Sequence, residues 1–130
     1  MRRAALVVLL LVAVAACGDS TTDTVIFGEG RIPSAIPDDF PLPADVVIGS
    51  TLVDTINTKS EFEFRTSTDL GLLVQFLSVR LVEGGYVIDE SSGDVARWAL
   101  AFRRGSLEGA VQLRSLGDGL SQGVVTVNAT

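Results

Sequence analysis

Apolar and polar residues alternate with a period of two along much of this chain, and one run with the period of a helix interrupts them. In Glu61-Phe62-Glu63-Phe64-Arg65 the alternation is strict, which assigns both phenylalanines to an inner face and the charges to an outer one. Val46 to Ile56 carries Val and Ile at both parities and, with Ser60 to Thr66, predicts a hairpin around Asn57-Thr58-Lys59. Leu70, Leu73, Val74, Leu77 and Leu81 then share one face at three- and four-residue spacing, so a single helix is expected there. Ser67 or Thr68 suits its N-cap, Asp69 the positive end of its dipole, and Gly84-Gly85 its stop. Phe76 sits on the shoulder of that face. Leu72, Val79 and Val82 extend the apolar surface further round, so the helix is either covered there, most simply by strands from the N-terminal side, or offers an apolar flank to something else.

The remainder reads as a four-stranded meander. Taking Ser91-Ser92-Gly93 as a loop, with Gly93 left-handed, sets Tyr86 opposite Trp98 and Ile88 opposite Ala96. A turn at Arg104-Gly105 sets Phe102 opposite Leu107, Leu100 opposite Gly109, Trp98 opposite Val111 and Ala96 opposite Leu113. A loop at Gly117-Asp118-Gly119 sets Val111 opposite Val125 and Gly109 opposite Val127. All three registers place the large apolar residues on one face, which a one-residue slip would undo. The expected fold is therefore α+β: an antiparallel sheet of about six strands in the order β-β-α-β-β-β-β, with one helix packed on one face.

Before residue 40 the pattern changes. Gly18 to Thr24 is small, polar and acidic, suited to a tether. Val25-Ile26-Phe27 is an apolar island that packs somewhere or forms a short edge segment. Four prolines between Pro33 and Pro43 predict an extended or polyproline-like stretch. That stretch reads as a spacer, as a ligand for a partner's aromatic groove, or as a strap that lays Phe40 and Leu42 on the edge of the domain.

At the start, Arg2 and Arg3 precede an unbroken apolar run from Ala4 to Val14, then two small residues and the only cysteine of the chain. Such a run is too short for a stable membrane span, which takes about 20 residues, and has the three-part shape of a secretory signal. Val14-Ala15-Ala16-Cys17 resembles the bacterial lipobox, with valine where leucine is commoner. The resemblance implies a diacylglyceryl group on Cys17, cleavage before it, and anchoring by acyl chains at the outer face of the cytoplasmic membrane or the periplasmic leaflet of an outer one. The expected organisation is a signal over 1–16, a lipidated tether over 17–39 and one α+β domain over 40–130. A single cysteine allows no internal disulfide, so the core alone must hold the domain.

Charge narrows the partners. Losing Arg2 and Arg3 with the signal takes the balance from 10 basic residues to 8 against 16 acidic, and the net charge from −6 to −8. Nucleic acid is excluded, because its recognition needs clustered basic residues. The chain has no histidine, which removes the usual base at neutral pH and the commonest zinc ligand. With the one thiol assigned to lipid, cysteine nucleophiles and thiolate metal sites go too. Asp38-Asp39 and Asp89-Glu90 are adjacent pairs whose side chains diverge on extended backbone, and they read as solvated acids. Asp19 with Asp23 is too sparse for calcium. Gly105-Ser106-Leu107-Glu108-Gly109 reads as a turn, no phosphate loop occurs, and no catalytic residue, cofactor or metal is expected.

One surface stands out: the outward side of the meander, with Arg97, Ala99, Ala101 and Arg103 beside Ala110, Gln112, Arg114, Val124 and Thr126. Flat, small-residued and basic, it suits a partner with an acidic or polyanionic surface, unless the first hairpin packs over its alanines or the alanines are merely tolerated and the arginines solvated. The expected function is a non-catalytic interaction or accessory module of the cell envelope. The alternative is a receptor that holds a small apolar ligand between helix and sheet, near Trp98 and Gly109.

Overall fold

The computed structural model describes residues 24–129, so the stretch expected to be a signal, Cys17, Asp19 and Asp23 lie outside the described residues. Seven strands form one antiparallel sheet: β1 (Val25–Glu29), β2 (Val47–Asp54), β3 (Lys59–Thr66), β4 (Val87–Gly93), β5 (Arg97–Arg104), β6 (Leu107–Gly117) and β7 (Leu120–Ala129). Helix α1 (Leu70–Glu83) separates β3 from β4. The spatial order is β1-β2-β3-β7-β6-β5-β4. The class is α+β as expected, with seven strands rather than about six. The additional one is the Val25-Ile26-Phe27 island, which forms edge strand β1 against β2. The first hairpin joins the meander through β3 and β7, from Lys59↔Asn128 to Thr66↔Ser121.

One side of the sheet carries the core. Phe62 and Phe64 are fully buried, as their alternation predicts, together with Leu100, Phe102, Val111, Leu113, Val125 and Val127 from the meander. Leu70, Leu73, Leu77 and Leu81 of α1 close over them. Each such side chain contributes about 1.5–3 kcal/mol on leaving water. The N-cap falls on Asp69, one residue after the expected pair, and its carboxylate accepts from Gly71 N–H. At the other end Tyr86 N–H donates to Leu81 C=O and Gly85 N–H to Val82 C=O, with Gly85 at φ +84°. This six-to-one, five-to-two pairing satisfies the last carbonyls and needs a left-handed residue, hence the glycine. Leu72, Val79 and Val82 are exposed, so the expected cover on that flank is not supplied by any described residue.

The proline-rich stretch is not extended. Ile36 N–H donates to Pro33 C=O, Phe40 N–H to Pro37 C=O and Val46 N–H to Pro43 C=O, so turns starting at prolines carry the chain across the core. They drop Ile36 and Phe40 into the buried core, with Leu42 packed against it, as the strap reading expects of Phe40 and Leu42. Its ring meets those of Phe62, Tyr86 and Phe102 with centroids 5.6–6.4 Å apart. The ordered chain thus reaches back past residue 40 into the stretch expected to be tether.

Two meander registers differ from expectation. The β4–β5 turn lies at Asp94 to Ala96, where the Asp94 carboxylate accepts from Ala96 and Arg97 N–H and Asp94 N–H donates to Arg97 C=O. Trp98 therefore pairs with Gly93, and Ile88 with Phe102. Gly93 does not have positive φ; its missing side chain leaves room for the Arg97 carbonyl and Trp98. Between β5 and β6 the turn is Gly105-Ser106, with Arg104 opposite Leu107, Phe102 opposite Gly109 and Trp98 opposite Leu113. Only Gly105 of the two has positive φ, at +61°, as a two-residue type II′ turn requires. The β6–β7 register is as predicted, Val111 opposite Val125 and Gly109 opposite Val127, around Asp118-Gly119.

Candidate functional site

With the core on one side of the sheet, every second residue of β5, β6 and β7 faces outward, and the register decides which of them meet. Arg97 lies directly opposite Arg114, Ala99 opposite Gln112, Ala101 opposite Ala110 and Arg103 opposite Glu108. On β7, Gln122 stands beside Arg114, Val124 beside Gln112 and Thr126 beside Ala110. All the residues expected to form the face therefore occupy one surface. The first hairpin extends the sheet beyond β7 and does not fold over the alanines.

The face is not uniformly flat. A shallow concavity of about 500 Å3 lies over Ala99, Gln112 and Val124. Arg97, Arg114 and Gln122 flank it, and Ser92, Asp94 and Trp98 bound its β4–β5 end. Ala99 is the small side chain on the β5 part of the floor. Asp94 is held below the usual carboxylate range by the N–H groups of Ala96 and Arg97, with a smaller contribution from the Arg97 charge.

The arginines of the face divide. Arg103 is committed: its Nε donates to both oxygens of Asp89 at 3.0 and 3.1 Å. A bulge between Ile88 and Glu90 brings Asp89 to this side, so the acidic pair does not diverge as a regular strand would make it. Asp89 is thus ion-paired rather than merely solvated, and so is Asp39, which Arg104 grips. Arg114 donates from Nε to Gln122 Oε1, a neutral partner. Arg97 and Arg114 form no ion pair among the described residues.

The sequence did not show that Arg97 and Arg114 are neighbours, because the turn before β6 was placed one residue early. The available signal was Gly105-Ser106 itself, a glycine-first dipeptide suited to a two-residue hairpin.

The space proposed for an apolar ligand is filled where Gly109 stands. Phe102, not Trp98, occupies it, with its ring 2.5–2.8 Å from where a β-carbon on Gly109 would lie. Tyr86 is 3% exposed and packs on Phe40 and Phe102. An open groove does run along the other end of the helix, between Leu70, Gly71 and Val74 and the residues Val95 and Trp98. Among the described residues no three metal-binding side chains converge, and no helix is long and apolar enough to cross a membrane.

No protein-family model matches the chain, and comparisons with curated proteins and with solved structures find no match either.

Proposed function

We propose that this protein is a lipid-anchored module of the bacterial cell envelope, held outside the cytoplasm through Cys17, that binds another envelope protein through the outer face of β5, β6 and β7 and catalyses nothing. The observation that carries the interaction reading is the concavity over Ala99, Gln112 and Val124, beside two arginines that form no ion pair among the described residues. The anchoring rests on Val14-Ala15-Ala16-Cys17. A domain of net charge −8 gains nothing electrostatically from an anionic bilayer, so the acyl chains supply the attachment.

Two measurements test this reading. Replacing Cys17→Ala releases the protein from membranes or leaves its precursor uncut; unchanged mass and membrane retention contradict the anchor. Solubilised gently from membranes, the protein migrates as part of a larger assembly that Ala99→Glu dissolves and Gln75→Glu, on the exposed side of α1, does not. Migration of the wild-type chain alone contradicts the interaction.

A second reading keeps the open groove between Leu70, Val74, Val95 and Trp98 as a site for a small apolar ligand at the seam of helix and sheet. Val95 is 93% exposed there, a large apolar side chain left to solvent. Protection of Val95 from hydrogen exchange by an apolar extract of the envelope favours this reading over the first.

A further inference from the structure

Of the eight basic residues between 24 and 129, five are tied to carboxylates: Lys59 to Glu61, Arg65 to Glu63, Arg80 to Glu83, Arg103 to Asp89 and Arg104 to Asp39. That leaves Arg31, Arg97 and Arg114. In so acidic a chain most cations form an ion pair, yet two of the three that form none among the described residues are directly opposite each other on adjacent strands. Like charges in that position oppose strand pairing. Here the pair also flanks the concavity of the outer face.

We infer that Arg97 and Arg114 form a carboxylate-binding clamp, and that the segment it takes is an acidic, extended peptide of the partner protein. This rests on the interaction reading above and gives it a chemistry. A carboxylate between the two guanidinium groups relieves their repulsion and gains charge-assisted hydrogen bonds to planar donors suited to it. Gln122 accepts from the Arg114 Nε, which leaves the Nη groups of that guanidinium to meet a carboxylate. Asp94 at the margin spends an oxygen on two backbone N–H groups, which keeps it from filling the clamp. One row along the strands from the arginines lie Ala99, Gln112 and Val124, so an apolar residue next to the acid finds contact. A nucleic acid does not suit the site, since two arginines in a surface of net negative charge cannot track a phosphate backbone.

Isothermal titration calorimetry reads occupancy of the concavity. The full chain in non-ionic detergent is titrated with the blocked peptide Glu-Leu-Glu-Leu-Glu, with its glutamine counterpart, and with glutarate as a free acid. The expected result is a saturable change with the glutamate peptide, weakened by salt, and little response to the glutamine peptide. Arg97→Gln and Arg114→Gln each weaken binding roughly tenfold or more, while the charge-keeping Arg97→Lys retains part of it. Equal affinity for glutarate and the peptide overturns the peptide assignment. No saturation with the folded wild-type chain, or unchanged affinity in the double glutamine variant, overturns the clamp. The large assembly in membranes with no response to the peptide overturns the clamp alone, whereas absence of that assembly falls on the interaction reading.

Discussion

Arg104 and Asp39, 65 residues apart in the chain, meet as a two-pronged ion pair, with Nη1 to Oδ2 at 2.9 Å and Nη2 to Oδ1 at 3.0 Å. The same guanidinium donates to Gly84 C=O at 3.0 Å and lies 4.2 Å from the centre of the Tyr86 ring. One side chain at the end of β5 therefore fastens the proline-rich strap to the C-terminal end of the helix. The Asp39 carboxyl is lowered mainly by its hydrogen bond from Arg104, against a smaller opposing effect of burial.

The first prediction concerns that fastening. Arg104→Ala lowers stability more than Asp39→Ala does, because it also removes the bond to Gly84 and the contact with Tyr86. The double variant is less destabilised than the two single effects added together, since they share one interaction. Urea unfolding of the four proteins checks this, and strict additivity would remove the coupling.

A second fastening lies at the other end of the strap. Asp45 accepts from the hydroxyls of Ser67 and Thr66 and from Ser67 N–H, and these bonds lower its pKa from 3.8 to about 2. A carboxylate depressed in the folded state stabilises above its unfolded pKa and loses that contribution as pH falls toward the folded value. The wild-type chain therefore loses stability between about pH 4 and 2. Asp45→Asn is less stable at neutral pH and shows a shallower fall over that window. Parallel acid limbs in thermal unfolding would show that Asp45 does not contribute.

Two inward glycines test how tightly the core is fitted. A β-carbon on Gly123 would collide with the Phe64 ring and press on Leu113, so only side chains stand in its way. One on Gly109 would meet the Phe102 ring and also the Thr126 carbonyl, at 2.7 Å. Both Gly→Ala changes destabilise, by about 1–3 kcal/mol. Phe64→Leu recovers part of the loss at Gly123, whereas Phe102→Leu does not recover Gly109→Ala, because backbone cannot be trimmed. Double-mutant cycles by chemical denaturation separate the two cases.

What the chain showed before folding follows from how local each signal is. Phe62 and Phe64 alternate with charges, and four leucines repeat with the helix period, so the inner faces of β3 and α1 were legible. The glycines around Asp118 marked the last hairpin, but its turn is Asp118-Gly119, with φ of +54° and +75°, and a bulge between Ser115 and Gly117 restores the register that a three-residue loop at Gly117-Asp118-Gly119 would give. The β4–β5 turn misled because Gly93 looks like a turn residue, yet is glycine for space. The actual turn is closed by a carboxylate, a weaker signal when surrounded by other acids. The strap was legible in Phe40 and Leu42, but Ile36 was not: proline content suggests extension, and only the three-residue spacing from Pro33 and Pro37 marks successive turns. At the candidate site the residue types of the face were legible from alternation. The opposition of Arg97 and Arg114 was not, since it depends on a turn position one residue away from the expected one.

The central claim is that the outer sheet face engages a partner, and site-specific photocrosslinking in intact cells tests it most directly. Probes are placed at Ala99, on the floor of the concavity, and at Gln75, on the exposed side of the helix. The account predicts a discrete adduct from Ala99 that Gln75 does not give and that Arg97→Gln diminishes. Silence from Ala99 with the protein present at the membrane, or the same adducts from both positions, would contradict it.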